Sequence, residues 1–399
     1  MTSLTIPVFR YMVLILYESS TYDSPEMNTH ENLRGGEEHY KMDKRDLVNV
    51  FDYEAAAREK LPKIAFDYYS SGANDEITLR ENHTAYERIR LKPRVLKDIS
   101  KRDIKITLFG ETITMPILVA PTAFHRMAHP EGEVAVARAA GKAGTIMILS
   151  TLANSSIEEV MSEAVGPVWF QLYVYKDKQA TKSLIQRAET AGCKAIALTV
   201  DAQIWGRRER DIKNRFRLPE GLSIKNLSSG SDHFPDGESG SGLASYVSWQ
   251  FDPALSWKDV EWLCANTKLP VLLKGVMHPK DARLAIDHGA AGVIVSNHGA
   301  RQLDTVPATI DALTDIVEAV EDRIEVLIDG GIRRGTDVLK AIALGAKAVG
   351  VGRPVIWGLA QDGEDGVKRI LDILRKDFEL TMRLCGCTSV KEISKDLIF

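Results

Sequence analysis

The feature of this sequence that most restricts its fold is a unit that recurs from residue 110 onward. Each unit is a short apolar segment followed by a helical segment rich in Ala, Glu and Lys that ends at a glycine, as at Gly144, Gly192 and Gly289. The apolar segments do not alternate with polar residues, which is typical of strands buried on both faces of a parallel sheet. Such strands are predicted at residues 115–120, 145–150, 168–173, 195–201, 270–274, 292–296, 325–329 and 348–352.

Eight successive βα units predict a (β/α)8 TIM barrel, in which the active site lies at the carboxyl ends of the strands. An open doubly wound sheet is the alternative, because the sequence does not exclude a different strand order. Residues 46–90 are predicted to be an N-terminal helical segment that packs beside the barrel. The long loop after strand four contains the polar stretch 228–241, which we interpret as a mobile cover over the barrel mouth.

Composition excludes several classes of partner. The net charge of −4 gives no electrostatic reason to bind nucleic acid or an acidic membrane. No apolar stretch reaches the roughly 18 residues that a membrane span needs. The four cysteines are too few and too scattered for a closed zinc site, and no metal is expected. Residues 1–43 are predicted to be a disordered extension, and residues 44–399 a single domain.

Polar or small residues stand at the carboxyl end of every predicted strand. They are Thr122, Ala123, Ser150, Gln171, Tyr173, Thr199, Asp201, Lys274, Ser296, His298, Asp329, Gly331, Arg333, Gly352 and Arg353. In a barrel these ends meet around one mouth, so the pattern predicts a large polar ligand lying across it. In the loop after strand six, His298 lies three residues before Arg301, and the pair could remove a proton and hold an anion.

Two glycine-rich segments, DGGIRRG at 329–335 and GVGRP at 350–354, follow strands seven and eight. Backbone N–H groups and arginines at this position form phosphate sites in such barrels. The ligand is therefore predicted to resemble a mononucleotide. No GxGxxG motif follows an early strand, so a Rossmann-type NAD site is not supported.

The ordered motifs DYYSSGAND, APTAF, MAHPEGE, FQLYVYKD, ALTVDA, GRRERDIKNRF, SNHGARQLD, DGGIRRGTD and GRPVIWGLA resemble the FMN-dependent α-hydroxy acid oxidase family. This family includes glycolate oxidase and lactate oxidase, and the resemblance covers nearly all of residues 46–395. It implies an FMN cofactor and a small 2-hydroxy acid as substrate.

The resemblance also implies roles for particular residues. His298 would be the base that takes the proton of the substrate C2 hydroxyl, and Asp201 would orient and stabilise its imidazolium. The substrate carboxylate and oxygens would be bound by Arg208, Arg301, Tyr68 and Tyr173. Three alternatives stay open: Tyr69 could replace Tyr68, Arg207 could replace Arg208, and Asp201 could cap the next segment.

For the cofactor, the resemblance places Lys274 beside flavin N1 and O2. Residues at the ring and ribityl chain would be Thr122, Ala123, Ser150, Gln171, Thr199 and Ser296. The ribityl hydroxyls and phosphate would be bound by Asp329, Gly331, Arg333, Gly352 and Arg353. Ala123, rather than glycine, favours reaction with oxygen. Leu152 stands where glycolate-preferring members resemble one another in carrying Trp, which favours L-lactate or longer acids.

The predicted function is therefore oxidation of an L-2-hydroxy acid to the 2-keto acid, with O2 reduced to H2O2. The alternatives are a family dehydrogenase that passes electrons to a quinone or cytochrome, and a flavin-binding barrel without turnover. The resemblance implies a homotetramer. A peroxisomal or cytoplasmic location is expected, although the C-terminal residues carry no SKL-type signal.

Overall fold

The computed structural model describes residues 46–227 and 241–399. Its core is a closed barrel of eight parallel strands, in which each strand pairs with the next along the chain and β10 returns to pair with β3. The strands are β3 (Ile117–Val119), β4 (Met147–Ser150), β5 (Val168–Leu172), β6 (Ile196–Thr199), β7 (Val271–Val276), β8 (Gly292–Val295), β9 (Glu325–Asp329) and β10 (Ala348–Val351). This closure confirms the predicted (β/α)8 barrel and excludes the open sheet.

The predicted strands are all present, and most are somewhat shorter than predicted. Strand β9 has its predicted bounds, and β7 continues past its predicted end at Lys274 to Val276. The pairing of β7 with β8 shifts register between Lys274 and Val276, and Gly275 in this bulge has φ +112°. A backbone conformation of this kind is accessible to glycine, which has no Cβ.

Helices follow the strands and cover the outside of the barrel. They are α4 (Gly132–Ala143), α5 (Ile157–Glu163), α6 (Lys178–Ala191), α7 (Glu209–Lys213), α8 (Gly242–Gln250), α9 (Trp257–Ala265), α10 (Pro279–Asp287), α11 (Thr309–Val320), α12 (Gly335–Ala343) and α13 (Arg353–Leu384). Helix α6 illustrates the local signals: the Asp177 side chain accepts from the Gln179 N–H at its start, and Gly192 ends it in the left-handed conformation.

The predicted N-terminal helical segment forms three helices, α1 (Val50–Lys60), α2 (Lys63–Ser70) and α3 (Ile77–Arg88). Helix α1 packs along α13, and α2 brings Tyr68 and Tyr69 to the barrel mouth. Helix α2 therefore contributes directly to the wall of the cavity described below.

One element was not predicted, an antiparallel hairpin of β1 (Ile106–Leu108) and β2 (Glu111–Ile113). Its Leu108 and Ile113 pack in one cluster with Trp169 and other inward side chains from the first residues of the barrel strands. The hairpin thus seals the amino-terminal end of the barrel. Each of these strands has three residues that mix polar with apolar side chains, so neither shows the continuous apolar run that predicted the barrel strands.

Two predictions fall outside the described residues. The boundary between residues 43 and 44 lies there, as do residues 228–240 of the stretch interpreted as a cover. Within 46–227 and 241–399, no helix combines the length and apolar character needed to cross a membrane.

Candidate active site

A cavity opens at the carboxyl ends of the barrel strands. The predicted site residues that line it are Tyr68, Thr122, Ala123, Ser150, Leu152, Gln171, Tyr173, Thr199, Arg208, Lys274, His298, Arg301, Asp329, Gly331, Arg333, Gly352 and Arg353. Asp201 and Ser296 lie behind this wall and contact lining residues. Side chains that are far apart in sequence meet here because parallel strands end at the same rim.

His298 and Asp201 form a buried pair. The imidazole Nδ1 lies 2.9 Å from Asp201 Oδ1, so the opposite nitrogen, Nε2, is left for a group in the cavity. Burial lowers the pKa of His298, and the attraction of Asp201 only partly offsets this. The ring is therefore neutral near pH 7 and can accept a proton. The Asp201 side chain is thus bonded to His298 and does not cap a helix.

The Asp201 carboxyl is itself held in its charged form. Burial raises its pKa, but the charge and hydrogen bond of His298, helped by Lys274, outweigh burial and leave the pKa below its usual value. A carboxylate beside the imidazole stabilises the positive charge that the ring acquires when it takes a proton.

Two arginines line the cavity near this pair. Arg208 is 2% exposed, and burial together with the charge of Arg301 lowers its pKa to about 9. Its neighbour Arg207 is 66% exposed and points away from the cavity wall. Arg301 is bound through Nη1 to the carbonyl oxygens of Tyr68 and Ser71, whereas its buried Nη2 has no hydrogen-bond partner among the described residues. A bound carboxylate would supply that partner.

Aromatic residues hold the two tyrosines on the wall. Tyr68 stacks on Phe216 and Tyr173 stacks on Phe251, each with ring centroids 4.5 Å apart. Burial raises the pKa of both hydroxyl groups, which therefore stay protonated and can donate hydrogen bonds. The hydroxyl of Tyr69 also approaches the cavity, but it donates to the Phe124 carbonyl oxygen at 2.5 Å.

A linked set of polar groups lies across the floor of the cavity. Gln171 Nε2 donates to Thr199 Oγ1 at 2.9 Å, and Ser150 Oγ donates to Gln171 Oε1 at 3.3 Å. Farther round the barrel, Lys274 Nζ lies 2.8 Å from Ser296 Oγ and 3.0 Å from Asp329 Oδ2. Ser296 thus holds the lysine from behind rather than lining the cavity. Donors and acceptors in this arrangement suit a flat heteroaromatic ring that bears carbonyl and N–H groups.

Two further arginines line the cavity, and one of them, Arg353, donates to the same Ser71 carbonyl oxygen as Arg301. Arg333 and Arg353 lie there beside Gly331, which has φ +78°. Burial, followed by the charges of Arg301 and Arg333, lowers the pKa of Arg353 to about 9. Arg333 Nε is buried and lacks a hydrogen-bond partner in the part of the chain that the structure describes. An unpartnered buried guanidinium donor fits a phosphate.

Trp205 is a wall residue that the sequence analysis did not identify. Its indole ring lies 3.7 Å from the Arg208 guanidinium carbon, stacked against the cation. It precedes the GRRERDIKNRF motif directly, and nothing in the local pattern separates it from an ordinary loop tryptophan. Other wall residues that were not predicted as site residues include Ala120, Pro121, Gly299 and Ile356.

Comparisons with known proteins identify the family of this chain. The model of the FMN-dependent dehydrogenase family matches residues 57–399. The chain is 58% identical over 350 residues to glycolate oxidase 3 of Arabidopsis thaliana, covering 88% of this chain and 95% of the relative. It is also 58% identical to glycolate oxidase of Spinacia oleracea over 353 residues, covering 88% and 96%.

Solved structures of mandelate oxidase share the fold. The complex with (S)-4-hydroxymandelic acid superposes with a TM-score of 0.85 at 45% identity, covering 88% of this chain and 98% of that one. A second crystal structure of mandelate oxidase gives a TM-score of 0.82 at 44% identity, with the same coverage. With the family model matched over most of its length, this chain belongs to the FMN-dependent dehydrogenase family.

Proposed function

We propose that this protein is an FMN-dependent (S)-2-hydroxy-acid oxidase, which converts glycolate, L-lactate or a longer L-2-hydroxy acid to the 2-keto acid and reduces O2 to H2O2. The proposal rests mainly on one observation. The neutral His298, backed by the Asp201 carboxylate at 2.9 Å, shares a cavity with Arg208 and the unpartnered Nη2 of Arg301. A base beside two guanidinium groups is the arrangement needed to deprotonate the hydroxyl of a bound hydroxy acid.

The residues of the cavity fit FMN. Arg333 and Arg353 would bind the phosphate, and Gln171, Thr199 and Ser150 would hydrogen-bond the ring. Lys274 would place its positive charge near the ring positions N1 and O2. When bound, FMN accepts two electrons from the substrate C2 and passes them to oxygen.

The chain's own residues would bind, orient and deprotonate the substrate. Arg208 and Arg301 hold its carboxylate, and the hydroxyl groups of Tyr68 and Tyr173 donate to its oxygens. This places the C2 hydroxyl at Nε2 of His298, which takes its proton. Asp201 stabilises the resulting imidazolium, since the pair is buried where the attraction of opposite charges is only weakly screened.

The identity of residue 152 supports a substrate range broader than glycolate. Leu152 is buried and forms part of the wall. Because Leu is smaller than the Trp expected from the resemblance, we propose that the substrate's carbons beyond C2 lie against it. The named relatives are glycolate oxidases and the named structures are mandelate oxidases, whose substrates differ greatly in size.

Oxygen is the proposed electron acceptor, supported by Ala123 on the cavity wall. The alternative is a dehydrogenase that uses a quinone or cytochrome.

We further propose that residues 44–399 form the catalytic domain, that the chain assembles as a homotetramer, and that it is peroxisomal or cytoplasmic. Size-exclusion chromatography with light scattering tests the assembly, and imaging of the tagged full-length protein tests the compartment.

The proposal is tested by adding glycolate, L-lactate and 2-hydroxyhexanoate to the purified holoenzyme without oxygen. Bleaching of the flavin is expected, and colour should return with formation of H2O2 when air is admitted. His298→Gln should slow the bleaching by about 100- to 10,000-fold, the usual contribution of a general base. Flavin that no 2-hydroxy acid bleaches would refute the activity, and bleached flavin that air does not reoxidise would refute the oxidase assignment.

His288→Gln is a matched control for the histidine variant. His288 also pairs with a carboxylate, through Nδ1 to Glu261 Oε1 at 2.8 Å, but it lies on the outside of the barrel after α10. It should leave the bleaching rate unchanged. Full activity in His298→Gln would exclude His298 as the base.

A further inference from the structure

The turn that carries the proposed base has an unusual backbone. His298, Gly299 and Ala300 follow one another with φ values of 59°, 64° and 64°. This left-handed region is readily accessible to glycine but is unfavourable for residues that carry a Cβ, such as His298 and Ala300. Strained backbone at a functional site persists where surrounding contacts hold it in place.

Within the loop, Asn297 makes most of those contacts. Its Oδ1 accepts a hydrogen bond from the Ala300 N–H at 3.0 Å and thereby spans the turn. The Ser296 Oγ accepts from the His298 N–H at 3.1 Å. The direction of the His298 side chain is therefore set in part by Asn297. The turn is also held by Arg353 Nη2, which donates to the Gly299 carbonyl oxygen at 2.9 Å, and by the Ala73 N–H, which donates to the Ala300 carbonyl oxygen at 2.8 Å.

Asn297 is held by Asn82, which lies on α3 and is 215 positions away in sequence. Asn82 Nδ2 donates to Asn297 Oδ1 at 2.9 Å, and Asn297 Nδ2 donates to Asn82 Oδ1 at 2.8 Å. Both side chains are buried, at 2% and 5% exposure. The backbone N–H groups of Ala300 and Thr309 donate to the two Oδ1 atoms, which fixes the orientation of both amides.

Helix α3 is itself attached to the same loop at a second point. Asp304 accepts from the Thr78 N–H at 2.8 Å and from the Ile77 N–H at 3.3 Å, both in the first turn of α3. The helix therefore cannot shift relative to the His298 turn without breaking buried hydrogen bonds. Removing one partner of such a bond leaves the other buried and unsatisfied.

We propose that Asn82 is a positioning residue for catalysis, whose amide holds the Asn297 side chain and so keeps the left-handed turn that aims His298 into the cavity. The inference rests on the proposed role of His298 as the base. Asn82 does not line the cavity, so it acts on the reaction through Asn297 and His298 and not by touching the substrate.

The test uses the holoenzyme with Asn82→Ala, Asn82→Asp and the double variant Asn82→Ala/His298→Gln. Steady-state kcat and KM, FMN content from visible absorbance, and Tm are measured for each. We expect kcat in Asn82→Ala to fall by about 10- to 100-fold, because a displacement of about 1 Å in a reacting group can cost that much. KM and FMN content should change by less than about threefold.

Asn82→Asp keeps the shape and the acceptor of the side chain but cannot donate to Asn297 Oδ1, so an intermediate loss of kcat is expected. In the His298→Gln background, Asn82→Ala should cause no further loss, since the group that it positions is gone. Thr84→Ala is the matched control, because Thr84 lies on the exposed side of the same helix and should behave as the parent enzyme.

Several results would overturn the inference. The inference would be refuted if Asn82→Ala kept the wild-type kcat per bound FMN. This holds even if Tm or FMN content fell, because the role of Asn82 would then be structural. A full additional loss in the double variant would refute the inference as well. If His298→Gln retained activity, the proposed role of His298 as the base would be refuted. If His298→Gln lost activity while Asn82→Ala kept the wild-type kcat, only the inference about Asn82 would be refuted.

Discussion

Replacing Asp201 by Asn tests the charge of the His298–Asp201 pair without changing its shape. The substitution removes the negative charge 2.9 Å from His298 Nδ1 and leaves an amide oxygen that can still accept a hydrogen bond. The side chain is shielded within the protein, and Oδ2 is buried with no hydrogen-bond partner among the residues described. The expected effect is therefore mainly electrostatic.

The size of the effect follows from the geometry. Two unit charges 2.9 Å apart attract by about 6 kcal/mol at an effective dielectric constant of about 20. The imidazolium is only partly formed in the transition state, and the remaining hydrogen bond compensates further. We therefore expect the variant to lose about 3–4 kcal/mol of transition-state stabilisation, which corresponds to a rate of flavin reduction lower by about 100- to 1000-fold.

The pH dependence of Asp201→Asn has a defined sign. As the proposed base, His298 must be neutral to accept a proton, so kcat/KM is expected to fall as pH decreases through its pKa. Burial already lowers that pKa, and Asp201 opposes the effect of burial. Removing the carboxylate therefore lowers the pKa further, and the acid limb should move to lower pH while the maximum rate falls.

Anaerobic stopped-flow measurement of flavin bleaching from pH 5 to 9 provides the assay, with Asp315→Asn on the exposed face of α11 as the control. A rate within threefold of the parent enzyme would refute the reasoning. An acid limb that moved to higher pH would refute it equally, because the carboxylate would then not be raising the pKa of His298.

Three further variants probe the supports of the site. Gly275→Ala would place a Cβ 2.5 Å from Asp201 Cγ at a residue with φ +112°. We expect kcat to fall at least about tenfold and Tm to decrease, and unchanged kinetics would contradict this. Arg333→Gln should weaken FMN binding about 10- to 100-fold in fluorescence titration, whereas the exposed neighbour Arg334→Gln should not. Trp205→Ala should raise KM about 3- to 30-fold through loss of its stacking on Arg208, with Trp205→Phe closer to the parent; an unchanged KM would exclude that support.

Much of the architecture could be predicted because its signals are local. Buried parallel strands appear in the sequence as continuous apolar runs. Gly144 and Gly192 end helices in the left-handed conformation that glycine adopts most easily. Most of the candidate site could also be found, since the carboxyl ends of the strands must meet once the fold is a barrel. The hairpin of β1 and β2 has no such signal, because its three-residue strands mix polar with apolar side chains and form no continuous apolar run.

Pairing between distant segments was decided by the tertiary structure. The sequence left open whether Arg207 or Arg208 faces the cavity and whether Asp201 caps a helix, and the fold places Arg208 on the wall and Asp201 against His298. The bond of Asn82 to Asn297 and the bulge at Gly275 had no local signature at all. Apolar periodicity and turn residues act within a few positions of the chain, whereas such contacts depend on closure of the barrel, which brings residues hundreds of positions apart within hydrogen-bonding distance.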